Sequence, residues 1–363
     1  MRWRSRTWLR RLGIGLVLLL LAFGAYVLYA LYLAGSFRRI EPHFAGSCHA
    51  VAGIAGVADI VIAPDGRHAF LSADDRRAAA AGRPAPGAIW LYDLASETLP
   101  INLTPDATAA FHPQGISLWP LADGRGRLFV VDHPDEGRMP PGQGRQTVDV
   151  FDWNGESLAY RATLADPLLA NPNSIAAVGV DRFYVSNGHR WHGFWRAIEQ
   201  WLRLPLADIV YFDGAKFRVA ADGIALAAGI AASADGRRLF VAATAGRALL
   251  VYDRDPATAA LGNRREVALD SAPDAITRSA DGSLWIGAHP QFLKYLAHAR
   301  KAKNRSPSQV LKLAPKADGG FAVTEVYLDD GRAISGAAVG AAAGKRLLIG
   351  PRFDDHFLDC RMQ

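Results

Sequence analysis

The sequence predicts an all-β chain: a six-bladed β-propeller preceded by one N-terminal transmembrane helix. Three observations predict it. Gly13 to Gly35 runs for 23 residues without a charged side chain. A theme of tight turns followed by short apolar runs recurs six times through the rest of the chain. The only two cysteines, Cys48 and Cys360, bracket nearly all of that repeating body.

The apolar stretch comes first. As a helix its 23 residues span roughly 34 Å, enough for a hydrocarbon core of about 30 Å. A backbone in lipid must satisfy its own hydrogen bonds, which favours a helix there. Arg2, Arg4, Arg6, Arg10 and Arg11 precede it, and only Arg38 and Arg39 follow closely. That asymmetry predicts a single-pass topology with residues 1–12 a basic cytoplasmic tail, 13–35 the anchor and 36–47 a linker to a propeller (48–363) on the exported side. Tyr26, Tyr29 and Tyr32 suit an interfacial belt. A cleaved secretory signal, with a small-residue site near Ala34-Gly35, is the rival reading, and it exports the body equally.

Charge excludes one class of partner. The chain carries 41 basic and 35 acidic residues, but seven arginines and no acid fall within residues 1–39. The body alone has 34 basic against 35 acidic residues, which gives no electrostatic footprint for nucleic acid.

Within the body, Pro64-Asp65-Gly66 leads into HAFLS and then AIWLYDL. Asp123-Gly124 leads into RLFVVD and TVDVFDW, and Val180-Asp181 into RFYVSN and DIVYFDG. Ala234-Asp235-Gly236 leads into RRLFVAA and ALLVYDR, and Ala280-Asp281-Gly282 into SLWIGA and QVLKLAP. Ala343-Gly344 leads into KRLLIG and a last strand, HFLDC. Asp-Gly supplies the positive φ of a tight turn, and the flanking runs have strand length and strand composition. Six such units indicate six blades.

Two segments break the theme. In His192 to Leu204, Phe194, Trp195, Ile198, Trp201 and Leu202 recur at helical spacing, with Arg196, Glu199 and Arg203 between them. This 192–204 insertion is an amphipathic helix whose Phe194, Trp195 and Trp201 serve either as a membrane contact or as a lid packed on the propeller. The 292–305 segment, ending HARKAKNRS, is a basic helical loop, read as a solvated surface or as a contact for anionic headgroups. For the cysteines, export permits a disulfide and a ring would bring the ends together; two unrelated buried thiols are the alternative.

Several segments together resemble the paraoxonase/arylesterase family, within the gluconolactonase-like superfamily. They are NPNSIAAVGVDRFYVSNGHRW (Asn171–Trp191), FHPQGISLW, VVDHPDEG, LAAGIAASADGRRLFVAA, SADGSLWIGAHP and KRLLIGPRFDDHFLDC, in order across most of Cys48–Cys360. The resemblance implies a six-bladed propeller with two calcium ions in its tunnel, one structural and one polarising the carbonyl of a lactone or ester, with a pair of histidines activating water. It also implies a bridge between the chain ends, here Cys48 and Cys360, and an N-terminal apolar helix.

At the positions that carry this chemistry the chain departs from the family. Asp59 keeps a carboxylate for the structural ion, but Ala58 stands where the family has the carboxylate of the catalytic ion. Asn173-Ser174 keeps the amide of an Asn-Asp pair and loses the acid. Ala228 stands for an Asn, and Pro273-Asp274 for an Asp-Asn pair. Gln114 aligns with one of the two histidines; the other is His133. Asp59, Asn173 and Asp274 are therefore the expected metal-ligating residues, with a structural calcium favoured over a catalytic one, because calcium asks for six to eight oxygens and Ala58, Ala228 and Pro273 offer none from their side chains. His133 is the expected general base, and Gln114 cannot take a proton at neutral pH.

No G-x-S-x-G elbow, H-E-x-x-H or P-loop is present. His189 and His192 read as polar surface rather than a metal pair, and Asp354, Asp355 and His356 as a turn before the closing strand. Two functions follow. One is a hydrolase of small hydrophobic lactones or aryl esters, held to lipid by the N-terminal helix and the 192–204 helix. The other is a propeller that binds a ligand or protein at the membrane surface without catalysis.

Overall fold

In the computed structural model the turns take the conformations their residues favour. Gly66, Gly124, Gly236, Gly282 and Gly344 all have positive φ, between 57° and 81°. Each is followed by the second strand of a blade. The structure describes residues 2–83, 85–96, 98–139 and 144–363; the side chains of Arg2, Arg4 and Arg6, expected to flank the anchor, lie outside the described residues.

Six antiparallel sheets result. Their innermost strands are Val57–Ile62, Pro113–Pro120, Pro172–Gly179, Ala227–Ala232, Ala272–Arg278 and Ala337–Ala343, here blades 1 to 6. Each innermost strand contacts the next and the sixth contacts the first, so the ring closes around a tunnel. The second and third strands are buried on both faces, which explains their unbroken apolar runs: every residue of Leu284–His289 is buried. The core lies between blades. Phe129 of blade 2 and Phe183 of blade 3 meet at 5.0 Å, and Phe183 stacks on Phe212 at 5.1 Å. Outermost strands such as Leu261–Ala268 are largely exposed and polar.

The ends of the body close the ring. Gly46–Ala52 pairs antiparallel with His356–Met362 and becomes the outer strand of blade 6. Cys48 lies directly opposite Cys360, and the two form a disulfide. The segment expected as a linker is partly structured: His43–Phe44 adds a fifth strand to blade 5, and the strand of blade 6 begins at Gly46 rather than at residue 48.

Among the described residues four α-helices accompany the sheets: α1 (Arg2–Leu33), α2 (Arg76–Ala80), α3 (Gly193–Trp201) and α4 (Phe292–Arg300). The tail and anchor form one continuous helix, within which Arg10–Leu33 is long and apolar enough to cross a membrane. Its end docks on the propeller. Phe292 N–H donates to Ala34 O at 2.9 Å and Arg247 donates to Leu33 O at 3.1 Å. Gly35 permits this contact: its φ is +69°, and a Cβ there would lie 1.9 Å from Pro290 O. α3 and α4 are shorter than the 192–204 and 292–305 segments in which they were expected.

Candidate tunnel-mouth site

The second residue of each innermost strand forms one level of the tunnel: Ala58, Gln114, Asn173, Ala228, Pro273 and Ala338. The next residues include Asp59, Ser174 and Asp274. The strands start at the end of the ring where the second strands finish, so the residue after each second strand also faces this mouth: Asp74, His133, Gly188, Thr244, Pro290 and Arg352.

Side chains at this level tie blade to blade. Asp59 of blade 1 accepts from Ile116 N–H of blade 2 at 2.9 Å and from Ile60 N–H at 2.9 Å. Gln114 of blade 2 donates through Nε2 to Asn173 Oδ1 of blade 3 at 2.9 Å. Thr244 of blade 4 donates to Pro273 O of blade 5 at 2.7 Å. Arg352, from blade 6, donates to Gln114 Oε1 across the mouth at 2.7 Å.

These bonds fix the Gln114 amide. Its nitrogen faces the Asn173 oxygens and its oxygen faces both the Arg352 guanidinium and, at 3.0 Å, His133 Nε2. His133 Nδ1 meets Gln146 Oε1, and the Gln146 amide nitrogen donates to Gly144 O, so both ring nitrogens face glutamine oxygens. Burial, reinforced by the charges of Arg76 and Arg352 against a raising Gln146 contact, pushes the His133 pKa down to about 4. At neutral pH the ring is uncharged.

The two acids differ. Burial pushes Asp59 up to about 7, with the nearby Asp274 adding to it and the two backbone N–H donors opposing. Asp274 instead meets His289 Nε2 at 3.1 Å, and His289 stacks on Tyr295 of α4 with ring centroids 3.6 Å apart. Asp270, close to Pro273 in sequence, pairs with Arg38 at 3.2 Å and is 70% exposed, so it adds no donor to the mouth.

The structure thus brings Gln114, His133, Asn173, Asp59 and Asp274 to one end of the tunnel. Sequence reading missed Arg76, Arg352, His289 and Tyr295. A signal for Arg352 existed: it occupies the same step after its second strand as His133 does in blade 2. Arg76 is buried, donating to Gly56 O (3.1 Å) and Pro113 O (2.9 Å). Among the described residues no three His, Cys, Asp or Glu side chains are grouped to hold a metal ion. His189, read as polar surface, is instead buried and faces Glu199, whose carboxylate also accepts from the N–H groups of Arg190 and Trp191.

The helices form a collar. α3 buries Glu199 and exposes Phe194 (74%), Trp195 (59%) and Trp201 (50%), so its aromatic face does not pack on the propeller. α4, read as a solvated basic loop, buries Tyr295 and His298. Between α1, α3 and α4 lies a cavity of about 130 Å³ lined by Leu33, Trp201, Phe292, Leu296 and Arg247.

Residues 40–362 match the Arylesterase family model. Serum paraoxonase/arylesterase 1 of Rattus norvegicus is 32% identical over 330 residues, 88% of this chain and 90% of its own length. Among solved structures, a luciferin-regenerating enzyme superposes with a TM-score of 0.55 at 14% identity, covering 87% of this chain and 95% of its own. Regucalcin from Agrobacterium tumefaciens, described as a calcium-binding protein, does so with a TM-score of 0.51 at 15% identity, over 88% and 96%. The structural likenesses speak to the fold alone, and the sequence match spans the whole propeller: the chain belongs to the arylesterase (paraoxonase) family.

Proposed function

We propose that this protein is a membrane-tethered carboxylic-ester hydrolase that takes small hydrophobic lactones or aryl esters at the tunnel mouth. Family membership across the whole propeller carries the reading. The gathering of Gln114, His133, Asn173 and Asp274 at one end of the tunnel supports it. Arg10–Leu33 is the membrane span, with the N-terminus cytoplasmic and the propeller exported. The exposed aromatic face of α3 is a second lipid contact beside the mouth.

The donor set at the mouth does not fit a catalytic calcium. Asn173 Oδ1 is already an acceptor for Gln114, Asp274 is engaged by His289, and Ala58, Ala228 and Pro273 contribute no side-chain oxygen. The Arg352 guanidinium sits at Gln114, where it opposes a second cation. Asp59 fits a structural ion better. It is a buried carboxylate without, among the described residues, a cationic partner; burial raises its pKa to about 7, and a cation beside it would favour its charged form.

In hydrolysis without that catalytic ion, Arg352 and the amide of Asn173 would supply N–H donors at the mouth to the oxygen on which charge develops. His133 acts as a base on water only after its unprotonated ring nitrogen is freed from its glutamine partner.

That last requirement favours a second reading, a ligand-binding propeller without turnover, because both ring nitrogens of His133 are engaged and its basicity is low. Hydrolysis of a panel of small lactones by the purified chain, with and without chelator, separates the two. Turnover supports the hydrolase, and its absence from folded protein supports the binding propeller.

A further inference from the structure

A second cavity lies away from the tunnel mouth, between blades 1 and 2. Its volume is about 600 Å³, within the range that takes a small molecule. Residues 103–111, which connect the two blades, form one wall, and blade 2 forms the other. Gln114, His133, Asn173 and Asp274 do not line it.

Strand register places two acids on the blade 2 wall. Gly126–Asp132 pairs with Thr147–Trp153, which pairs with Leu158–Ala165. Asp132 stands opposite Thr147, Asp149 stands opposite Thr163, and Thr147 and Asp149 are two apart on one strand. All four side chains therefore leave the same face, and all four residues line the cavity. Asp132 and Asp149 are only 3% and 7% exposed. Asp132 accepts from His112 N–H at 2.6 Å, and Asp149 accepts from the Thr163 hydroxyl at 2.5 Å. Neither bond brings a positive charge. The His112 ring turns instead to Asp74, at 3.1 Å. Arg145, exposed at the rim, pairs with Asp135 at 3.3 Å, and among the described residues no lysine or arginine pairs with either acid. Burial first and Asp149 next push the Asp132 pKa up to about 7, and burial also raises Asp149. A cation between the two carboxylates relieves that repulsion.

A second observation points to a ligand without involving the acids. Thr147 is 5% exposed and lines the cavity, and among the described residues its hydroxyl has no hydrogen-bond partner. A bound hydrogen-bond donor would satisfy it. The remaining wall favours an organic cation over a metal ion. Two carboxylates and two hydroxyls fall short of the six to eight oxygens that calcium asks for. Beside them stand aromatic rings: Phe111 meets Phe151 at 6.0 Å, and Phe151 meets Tyr160 at 5.9 Å. Aromatic faces attract cations, and a primary ammonium carries three N–H donors, one each for Asp132, Asp149 and Thr147.

We propose that this cavity binds an organic primary amine in its ammonium form. The nitrogen sits between Asp132 and Asp149 beside the Thr147 hydroxyl, and an apolar or aromatic group lies along Phe111, Phe151 and Tyr160. The site is separate from the tunnel mouth and does not depend on hydrolysis there.

The test is calorimetric titration of the full chain in nanodiscs with 2-phenylethylammonium, with 2-phenylethanol as the uncharged control. The ammonium binds at least about tenfold more tightly than the alcohol. Asp149→Asn weakens the ammonium about tenfold and leaves the alcohol unchanged, and Thr147→Val weakens the ammonium about threefold. Tyr160→Ala, at an exposed position that folding tolerates, weakens it about threefold and guards against misfolding of the buried variants. Equal affinity for ammonium and alcohol overturns the site, as does ammonium binding that survives Asp149→Asn and Tyr160→Ala in folded protein. Displacement of the ammonium by calcium chloride makes the cavity a metal site and overturns it too.

Discussion

The blade frame and the tunnel mouth are built from the same repeat, yet they depend on different things. The frame rests on patterns that tolerate exchange: a positive-φ turn, two strands of buried aliphatic residues, and a closing pair of strands. The mouth rests on single atoms. Gln114 Oε1 meets both His133 Nε2 and the Arg352 guanidinium, and one substitution there alters both contacts together. Divergence that leaves the frame intact therefore rewrites the mouth, and fold alone says little about the chemistry the mouth performs.

The largest expected effect breaks the frame and spares the mouth. Replacing Cys48 and Cys360 together with serine removes the only covalent link between the chain ends and costs about 2–5 kcal/mol of stability, read as a fall in melting temperature. Any lactone turnover below the new melting temperature stays unchanged. A variant that melts like the parent shows that strand pairing at Gly46–Ala52 closes the ring unaided.

Arg352→Gln does the reverse. It lowers kcat/KM for a lactone at least about tenfold through loss of an inward donor, with stability within about 1 kcal/mol of the parent. Equal loss of activity and stability would make Arg352 a structural latch.

A smaller effect follows from His133. Its pKa in the folded protein lies below that of an unfolded histidine, so the unfolded chain binds the extra proton between those values. The stability this represents is present above about pH 6.5 and is lost as pH falls toward about 4. His133→Gln removes this acid-side loss, on the order of 2 kcal/mol after discounting for the solvent the ring retains. Asp59 acts in the opposite sense, weakening the fold as pH rises toward about 7, and is common to both proteins, so the difference between their denaturation midpoints isolates His133.

The smallest effect concerns α3. Phe194→Ser and Trp195→Ser change stability by less than about 0.5 kcal/mol, because both side chains are exposed. In nanodiscs containing brominated lipid, tryptophan emission is quenched in the parent and less so in Trp195→Ser. Equal emission with and without bromine removes α3 from the membrane.

The frame was legible in the sequence because its causes are local. An Asp-Gly pair and the five residues after it determine a turn and a strand wherever the blade sits. The ring level of Asp59, Gln114, Asn173 and Asp274 was legible only through resemblance. Arg352 and Gln114 meet across 238 positions of sequence, and nothing local to either announces the other. α4 shows the same limit. Its basic residues read as a solvated surface, while Tyr295 and His298, three apart on one face, are buried.

The central claim is that this mouth works without a catalytic calcium. Lactone hydrolysis by the full chain, measured after chelation and again after calcium is restored, tests it most directly. Turnover that is indifferent to chelation and falls in Arg352→Gln is the predicted result; turnover abolished by chelator and recovered with calcium contradicts it.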